Sequence, residues 1–331
     1  MSDFKTPWGK KYGRKLKIFG VPWHVAHQYE LMKIPETEWF FLKNHTRKWS
    51  DVARPEPDNL TWVSHYEPGT YDFALVHVDQ QCVYQPIGKG KLFRELNEVI
   101  TDIPKILICH GTPFWPEMYG SEEIIKMMSK MIGPLAENCV MNSERSVEMW
   151  GFGHFIRHGI SPEEWPALPK EPRIVTSISP GGLDEYYNRK LLKAVQEDLR
   201  SDHNIRHCHV SVDVKPQNQE EYSRFIGSSL IYFNPTLESC MPRSRTEALM
   251  TGACVVTLNN HDIGKYLVDG ESGFFVKNNP KACVDKLVEL FYDYETCIKV
   301  GMKGREVALK HFTTEQFIEQ WISHISNVLN I

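Results

Sequence analysis

The sequence lacks several features that would place it in a specialised class of protein. Its eight cysteines are scattered and form no Cys-x-x-Cys pair, which argues against a zinc cage or a disulfide framework and for reduced thiols. No run approaches the roughly 18 to 20 apolar residues that a membrane span needs. Residues 1–17 are basic and have no apolar stretch of the kind found in secretory signals. We therefore expect a cytoplasmic protein.

The chain also lacks a strong excess of charge of either sign. Its formal net charge is −4, so no overall field would recruit nucleic acid or an anionic membrane. The N-terminus is a local exception, with one acid, Asp3, among the basic residues Lys5, Lys10, Lys11, Arg14, Lys15 and Lys17. We expect a solvated, partly disordered tail there. A weak contact with lipid headgroups or with a polyanionic acceptor stays open as the alternative.

Length and pattern predict an α/β protein with two domains. A chain of 331 residues exceeds the size at which a single core usually keeps growing. Short apolar runs alternate with helical patterns, which is typical of βαβ units and parallel sheets. The region 158–172 holds four prolines and reads as a stiff linker, so we place the domain boundary near 165–172. Two doubly wound halves would face each other across a ligand cleft.

The pattern predicts these elements in detail. The expected strands are 16–21, 39–42, 73–78, 105–110, 138–142, 155–158, 173–178, 207–212, 229–234, 253–258 and 273–276. The expected helices are 121–132, 184–199, 220–226, 243–250, 280–292, 294–311 and 314–329.

The most informative stretch runs from Asn234 to Thr257. It reads as a strand end, an acidic loop, a basic helix start, a glycine stop and a second apolar strand. Free backbone N–H groups and the helix dipole favour an anion where the loop enters the helix. Arg243 and Arg245 suit a phosphate there, and Glu238 and Glu247 suit sugar hydroxyls. A nucleoside diphosphate carrying a sugar uses all of these groups together.

Further motifs extend this pattern towards the C-terminus. They are Glu247-Ala248, Gly252-Ala-Cys-Val-Val-Thr257, Asp269-Gly-Glu-Ser-Gly-Phe-Phe-Val276, Gly301-Met-Lys-Gly-Arg305 and Phe312-Thr-Thr-Glu-Gln-Phe-Ile-Glu-Gln-Trp321. Over roughly 80 to 100 residues the chain thereby resembles the nucleotide-binding domain of GT-B glycosyltransferases, in the large retaining family 4. Towards the N-terminus the likeness fades.

The resemblance implies a GT-B architecture of two Rossmann-like parallel-sheet domains facing a cleft. The expected domains are residues 1–165 on the acceptor side, residues 166–312 for the nucleotide sugar, and a C-terminal helix, 313–331, that crosses back to the first domain. Glu247 would hold the ribose hydroxyls, and Glu238 would face the donor sugar and the reacting centre. His110, which precedes Gly111, would reach the donor sugar or the leaving phosphate.

Other donor contacts are implied less directly. Backbone amides between Cys240 and Ser244 would bind the sugar and the β-phosphate, and the donor site would include Met241, Ser244 and Thr246. The family's early arginine is missing, so Arg189 or Lys190 is the expected diphosphate ligand, with Arg243 and Arg245 supplying the lost charge. Glu238 and Glu247 are separated by eight residues where the family usually has seven.

Two features have a structural interpretation as well as a functional one. Gly181-Gly182, between a strand and a helix, is either a phosphate-cradling turn or an ordinary tight turn. His24 and His27, after the first strand, either contact the acceptor or donor or are structural.

These observations predict a glycosyltransferase that moves a hexose-type sugar from a nucleoside diphosphate, preferably UDP, to an acceptor hydroxyl. The chain has no Asp-x-Asp triplet, so we expect neither metal nor cofactor, with cations and a helix N-terminus stabilising the leaving group. Retention is implied by the resemblance alone. The expected acceptor is a glycan or lipid-linked saccharide, and modified nucleic acid is disfavoured but open. A sugar-nucleotide epimerase, a phosphorylase and a non-catalytic nucleotide-sugar-binding protein of the same fold are the rival interpretations.

Overall fold

A computed structural model describes residues 5–43, 48–84, 87–118, 120–181 and 183–331. The chain forms two compact units. The first consists of the residues up to Gly159 together with Thr314–Ile331, and the second is Ile160–Thr313. The expected domains ended at residues 165 and 312, so the first observed boundary lies earlier in the chain and the second lies one residue later.

The first unit contains a parallel sheet with seven strands in its described residues, in the order β3-β2-β1-β4-β5-β6-β7. Its strands are β1 (Leu16–Gly20), β2 (Thr37–Leu42), β3 (Leu60–Val63), β4 (Phe73–Asp79), β5 (Lys105–His110), β6 (Cys139–Met141) and β7 (His154–Phe155). Its first helices are α1 (Pro7–Tyr12), α2 (Val25–Leu31), α3 (Gln81–Tyr84), α4 (Lys89–Val99), α5 (Glu122–Ile132) and α6 (Glu144–Trp150). The central β4 is buried along its whole length, so its sequence is a continuous apolar run apart from His77 and Asp79.

The second unit contains a smaller parallel sheet, with five strands in the part that the structure describes, in the order β12-β11-β10-β8-β9. Its strands are β8 (Glu171–Thr176), β9 (His207–His209), β10 (Ser229–Asn234), β11 (Cys254–Leu258) and β12 (Phe274–Val276). Its helices are α7 (Asp184–Tyr187), α8 (Arg189–His203), α9 (Gln219–Gly227), α10 (Arg243–Met250), α11 (Pro280–Tyr292) and α12 (Tyr294–His311). The last helix, α13 (Thr314–Leu329), belongs to the first unit.

Each sheet is covered by apolar side chains on both faces. In β4, Ala74 and Val76 belong to one buried cluster, whereas Phe73 and Leu75 belong to the other. This division follows from the two-residue period of a strand. Helix α13 completes the second of these clusters with Phe317 and other apolar residues. Both faces of the sheet are therefore closed to water, as a doubly wound fold requires.

The connection at Gly159 brings the chain close to α13. A Cβ atom on Gly159 would lie 2.7 Å from Cβ of Phe317, so a larger residue would push the helix away. The hydroxyl of Thr314 also donates to the buried carboxylate of Glu30, at 2.8 Å. Among the helices that the structure describes, none is both long enough and apolar enough to cross a membrane.

The N-terminal region differs from the expected solvated tail. Thr6 caps α1 by accepting a hydrogen bond from the N–H of Gly9 at 3.1 Å. Trp8 is completely buried, and its indole N–H donates to the carbonyl oxygen of Glu36 at 3.0 Å. The expectation of a disordered tail is therefore wrong for residues 6–12. The Trp8 indole in a core cluster and the hydrogen bond from the Thr6 N–H to the carboxylate of Glu36 hold this short helix against the unit.

The α/β fold class and the parallel sheets are confirmed, with differences at particular elements. Every predicted strand occurs, two of them with the predicted bounds and the others with ends shifted by a few residues. Strand β3 was not predicted, because only Leu60 of its four residues is buried. The predicted helix 184–199 is instead two helices, since Asn188 adopts a left-handed conformation with φ 56° and ends α7.

Candidate active site

The second sheet reverses its strand order between β8 and β10. From β8 the chain moves to β9 on one side and later to β10 on the other. In open α/β sheets, ligands bind outside the carboxyl ends of the strands at such a reversal. The loops that leave β8 and β10 at this point are 177–183 and 235–242. They contain Gly181, Glu238 and Met241, and the other predicted donor contacts among the described residues of this unit lie at the start of α8 and on α10.

The loop 235–242 is held on both sides by backbone contacts. The amide of Asn260 donates to the carbonyl oxygens of Thr236 and Leu237, at 2.9 and 2.8 Å. On the other side, the N–H groups of Leu237 and Glu238 both lie 3.2 Å from the carbonyl oxygen of Tyr186. The loop is therefore a fixed platform rather than a loose connection, which suits the placement of a reactive carboxylate.

Glu238 lies beside His261 on this platform. Its Oε2 is 3.7 Å from Nε2 of His261, and 18% of its side chain is exposed. The imidazole is anchored by a second contact, since Nε2 lies 3.0 Å from the carbonyl oxygen of Leu237. His261 itself has a positive φ of 50°, an unusual conformation of the kind that clusters at functional sites.

Arg243 and Glu247 form an ion pair one turn apart on α10. Nε of Arg243 lies 2.9 Å from Oε1 of Glu247, and the two side chains are only 8% and 3% exposed. The spacing of four residues brings both groups to the same face of the helix. The first turn of α10 thus carries the guanidinium of Arg243, and the carboxylate of Glu247 in the next turn fixes its orientation.

Arg245 occupies a different position from the one predicted for a phosphate ligand. Its side chain is completely buried, and Nη1 donates to Thr257 Oγ1 at 3.1 Å and to Asn260 Oδ1 at 2.7 Å. Burial lowers the pKa of this guanidinium to about 10, against smaller opposing effects of nearby groups such as Tyr232. Because Nη1 donates inside the second unit, Arg245 supports the loop through Asn260 instead of facing an anion.

Ser244, Met241 and Thr246 also face inward to differing degrees. The hydroxyl of Ser244 donates to the carbonyl oxygen of Ser177 at 2.8 Å and accepts from the hydroxyl of Tyr232 at 2.8 Å. Met241 and Thr246 are 4% and 1% exposed. The contacts of Ser244 tie the start of α10 to the end of β8, and the side chains of Met241 and Thr246 offer little surface to a ligand.

The predicted phosphate ligands after β8 lie at the break between α7 and α8. Arg189 donates from Nε to Asp184 Oδ1 at 3.0 Å and from Nη1 to the carbonyl oxygen of Pro180 at 2.5 Å. Lys190 is 85% exposed, with Nζ 3.9 Å from Asp184 Oδ2. Gly181 has no atom within 4 Å of the place where a Cβ would stand. The prediction for Gly182 lies outside the described residues.

Asn188 connects this break to the acidic loop. Its amide donates to the carbonyl oxygen of Pro235 at 3.1 Å and to Asn278 Oδ1 at 2.9 Å. The structure thus brings the loops after β8 and β10 together, along with Glu238, Arg243, Glu247 and the start of α8.

In the first unit, the predicted histidines also lie at a reversal of strand order, between β1 and β4. His110 ends β5, and its ring lies 5.6 Å from the ring of His24 and 6.0 Å from that of His27. His24 is exposed, whereas His27 is 8% exposed and also contacts the ring of Phe317 at 5.6 Å. The three predicted histidines are therefore brought together.

Gly111 follows His110 with a φ of 96°, a value that disfavours any other residue. Its carbonyl oxygen accepts from the indole N–H of Trp150 at 3.1 Å and from the hydroxyl of Ser146 at 3.2 Å. The turn after β5 is therefore fixed by α6, and it holds the backbone of His110 in place.

Sequence reasoning missed several polar residues of these two sites. His77 lies inside β4 with Nδ1 3.1 Å from Nε2 of His110, and Gln28 of α2 contacts the other nitrogen of His77. Asn260 and His261 follow β11. Polar residues within three positions of the end of a buried strand were a usable signal for the second pair. The residues that the structure describes contain no group of three or more His, Cys, Asp or Glu side chains arranged to hold a metal ion.

Comparison with known proteins agrees with this arrangement. Residues 188–323 match the family model described as glycosyl transferase-like. No curated protein sequence matches the chain. Solved structures with the same fold include HepE of Anabaena in complex with UDP and glucose, which is 11% identical with a TM-score of 0.66 over 94% of this chain and 100% of that chain.

Two further structures are similar over nearly the whole chain. Sucrose-phosphate synthase of Thermosynechococcus elongatus is 13% identical, with a TM-score of 0.66 over 96% of this chain and 100% of that chain. A glycosyltransferase of Rickettsia africae is 12% identical, with a TM-score of 0.64 over 96% and 99%. At these identities the similarity of the solved structures establishes the fold, and the predicted GT-B fold is confirmed. Residues 188–323 are in addition similar to a glycosyltransferase domain.

Proposed function

We propose that the chain transfers a sugar from a nucleoside diphosphate sugar, with UDP as the favoured nucleotide, to an acceptor hydroxyl. The favoured acceptor is a glycan or a lipid-linked saccharide. The reaction would proceed without a metal ion and with retention of anomeric configuration, which the resemblance to family 4 suggests. The crystallised complex of the Anabaena neighbour with UDP and glucose supports the choice of uridine.

One observation carries the proposal: a helix N-terminus, a buried Arg–Glu pair and an anchored carboxylate meet at the strand-order reversal of the second sheet. Glu247 orients Arg243 through the 2.9 Å contact between Oε1 and Nε, and Glu238 lies on the loop that precedes α10. A helix N-terminus with a neighbouring cation favours a diphosphate. Carboxylates that accept hydrogen bonds from hydroxyl groups are the natural partners of ribose and of the donor sugar.

The chemistry requires stabilisation of the charge that grows on the leaving diphosphate. We assign this task to Arg243, to Arg189 or Lys190, and to the backbone N–H groups at the start of α10. Fixed donors of this kind act on developing charge without reorganising during the reaction. Glu238 would stabilise the positively charged sugar in a front-face reaction, while Glu247 would also accept from a ribose hydroxyl. His110 would contact the donor sugar or the leaving phosphate.

A donor screen tests the proposal directly. Thermal shifts with UDP-, GDP-, ADP- and dTDP-sugars should single out a UDP-sugar, and mass spectrometry with acceptor panels should detect a glycosylated product. Activity should persist in EDTA, and NMR of the product should report the donor's anomeric configuration. Conversion of the UDP-sugar without any acceptor would indicate an epimerase, and tight binding without turnover would indicate a binding protein. Either result would overturn the proposal.

A further inference from the structure

Gln28 occupies a position where its amide has a single allowed orientation. The side chain is completely buried in the first unit. Its Oε1 accepts from the backbone N–H of Trp23 at 2.8 Å, and its Nε2 donates to the carbonyl oxygen of Val21 at 2.7 Å. A backbone N–H only donates and a carbonyl oxygen only accepts, so rotating the amide by 180° would oppose like groups at both contacts.

This orientation determines which nitrogen of His77 carries a proton. Nε2 of Gln28 lies 3.1 Å from Nε2 of His77, which is itself buried. The amide presents its second N–H to this nitrogen, so Nε2 of His77 must be the acceptor. A neutral imidazole with an unprotonated Nε2 carries its proton on Nδ1.

The same reasoning extends one residue further, to His110. Nδ1 of His77 lies 3.1 Å from Nε2 of His110, and the two rings are inclined by only 16°. Near-coplanar rings allow the N–H of His77 to lie along the lone pair of His110. His110 therefore accepts at Nε2 and carries its own proton on Nδ1. The reverse arrangement would set an N–H of His77 against the amide N–H of Gln28.

We propose that Gln28 and His77 are positioning residues that hold His110 in its Nδ1–H tautomer. This inference rests on the proposed function in one respect, namely that His110 contacts the donor sugar or the leaving phosphate. With Nε2 occupied by His77, His110 serves that contact as a hydrogen-bond donor from Nδ1 and not as a proton-accepting base. The fixed donor fits a group whose oxygen becomes more negative as the reaction proceeds.

The direct test is spectroscopic and does not require turnover. Long-range ¹H–¹⁵N spectra of the whole chain labelled with ¹⁵N-histidine report the tautomer of each ring. The signals of His110 and His77 are assigned by their loss in His110→Gln and His77→Asn. We expect both rings to be protonated at Nδ1 and unprotonated at Nε2. A protonated Nε2 on His110 overturns the inference.

Paired variants of His77 separate positioning from packing. His77→Leu fills the space but removes the donor, so His110 should populate its Nε2–H tautomer and turnover should fall about tenfold, with little change in the KM for the donor. His77→Asn can place an amide N–H near the lost Nδ1 and should restore both the tautomer and most of the turnover. Equal behaviour of the two variants would contradict the proposal. If no transfer is found with any donor, the proposed function fails, and the spectra still decide this inference.

Discussion

Arg243 and Glu247 form a buried ion pair across one turn of α10, with Nε 2.9 Å from Oε1. We expect Glu247→Ala to weaken UDP binding by at least tenfold, because it removes the proposed ribose acceptor and the group that aims Arg243. It should also lower the free energy of unfolding by about 3 kcal/mol, since one partner of a buried pair is left uncompensated. Isothermal titration and urea unfolding measure the two effects.

A matched control for Glu247 lies in the same unit. Glu220 and Arg224 have the same spacing of four residues and an Nε–Oε1 distance of 3.0 Å, but their side chains are 75% and 64% exposed. Glu220→Ala should change the unfolding free energy by about 0.5 kcal/mol or less and should leave UDP binding intact. Wild-type affinity in Glu247→Ala would remove Glu247 from the donor site.

Glu238 should affect turnover more than binding. Glu238→Gln keeps the size of the side chain and removes the negative charge that would stabilise the reacting sugar. We expect kcat to fall by about 100-fold while the affinity for UDP changes less than threefold. Initial rates and titrations on the same preparation measure both, and Glu271→Gln, at an exposed position of the same unit, serves as the control. A parallel loss of affinity and rate would place Glu238 on the nucleotide instead.

The sequence predicts the frame of this site better than its details. The strand 229–234 and the helix 243–250 have the predicted bounds, because a buried apolar run and a glycine stop are local signals. The different environments of Arg243 and Arg245 cannot be predicted from the local sequence. Residues two apart point in different directions from a helix, and the rotation of α10 against its sheet decides which one points into the interior of the unit. Gln28 and His77 are 49 residues apart and meet only through the fold.

Arg245 and Asn260 should be coupled in donor binding. Arg245→Met replaces a buried cation by an apolar chain, so stability should change by only about 1 kcal/mol. UDP affinity should nevertheless fall, because Asn260 loses the contact at 2.7 Å that orients its amide towards the loop. In a double-mutant cycle with Asn260→Ala, we expect a coupling energy of about 1 to 2 kcal/mol in binding. Additive effects would mean that Arg245 does not act through Asn260.

Two glycines of the second unit should respond oppositely to alanine. A Cβ on Gly181 would meet no atom within 4 Å, so Gly181→Ala should leave the unfolding free energy within about 0.5 kcal/mol of wild type. If this turn cradles a phosphate, the added methyl group should weaken UDP binding severalfold. Unchanged binding would make it an ordinary tight turn.

Gly301 provides the contrasting case. A Cβ there would lie 2.3 Å from the carbonyl oxygen of Gly252, where the backbone has no room to yield. Gly301→Ala should therefore cost about 3 kcal/mol of stability by overpacking. Because the residue lies in α12, outside the predicted donor contacts, any folded fraction should bind UDP normally. Thermal unfolding followed by titration separates the two effects.

His207 should make the second unit sensitive to acid. Its Nε2 lies 2.8 Å from the hydroxyl oxygen of Thr176, which donates its own proton to the carbonyl oxygen of Phe233 at 2.6 Å. Nε2 must therefore carry a proton, and Nδ1 accepts from the amide of Gln196 at 2.9 Å. Burial, with a smaller effect of His209, lowers the pKa of His207 to about 3.

The direction of the pH effect follows from these contacts. An unfolded histidine has a pKa of about 6.5. Between about pH 6.5 and 3 the unfolded chain therefore binds a proton at His207 that the folded chain does not, so stability falls as the pH is lowered. By pH 4.5 the loss from this one group should be roughly 2 to 3 kcal/mol. Urea unfolding between pH 7 and 4.5 should have a shallower pH dependence in His207→Gln than in wild type. His203→Gln, at an exposed position of α8, controls for the substitution itself, and an identical slope in His207→Gln and wild type would show that His207 is not the group responsible.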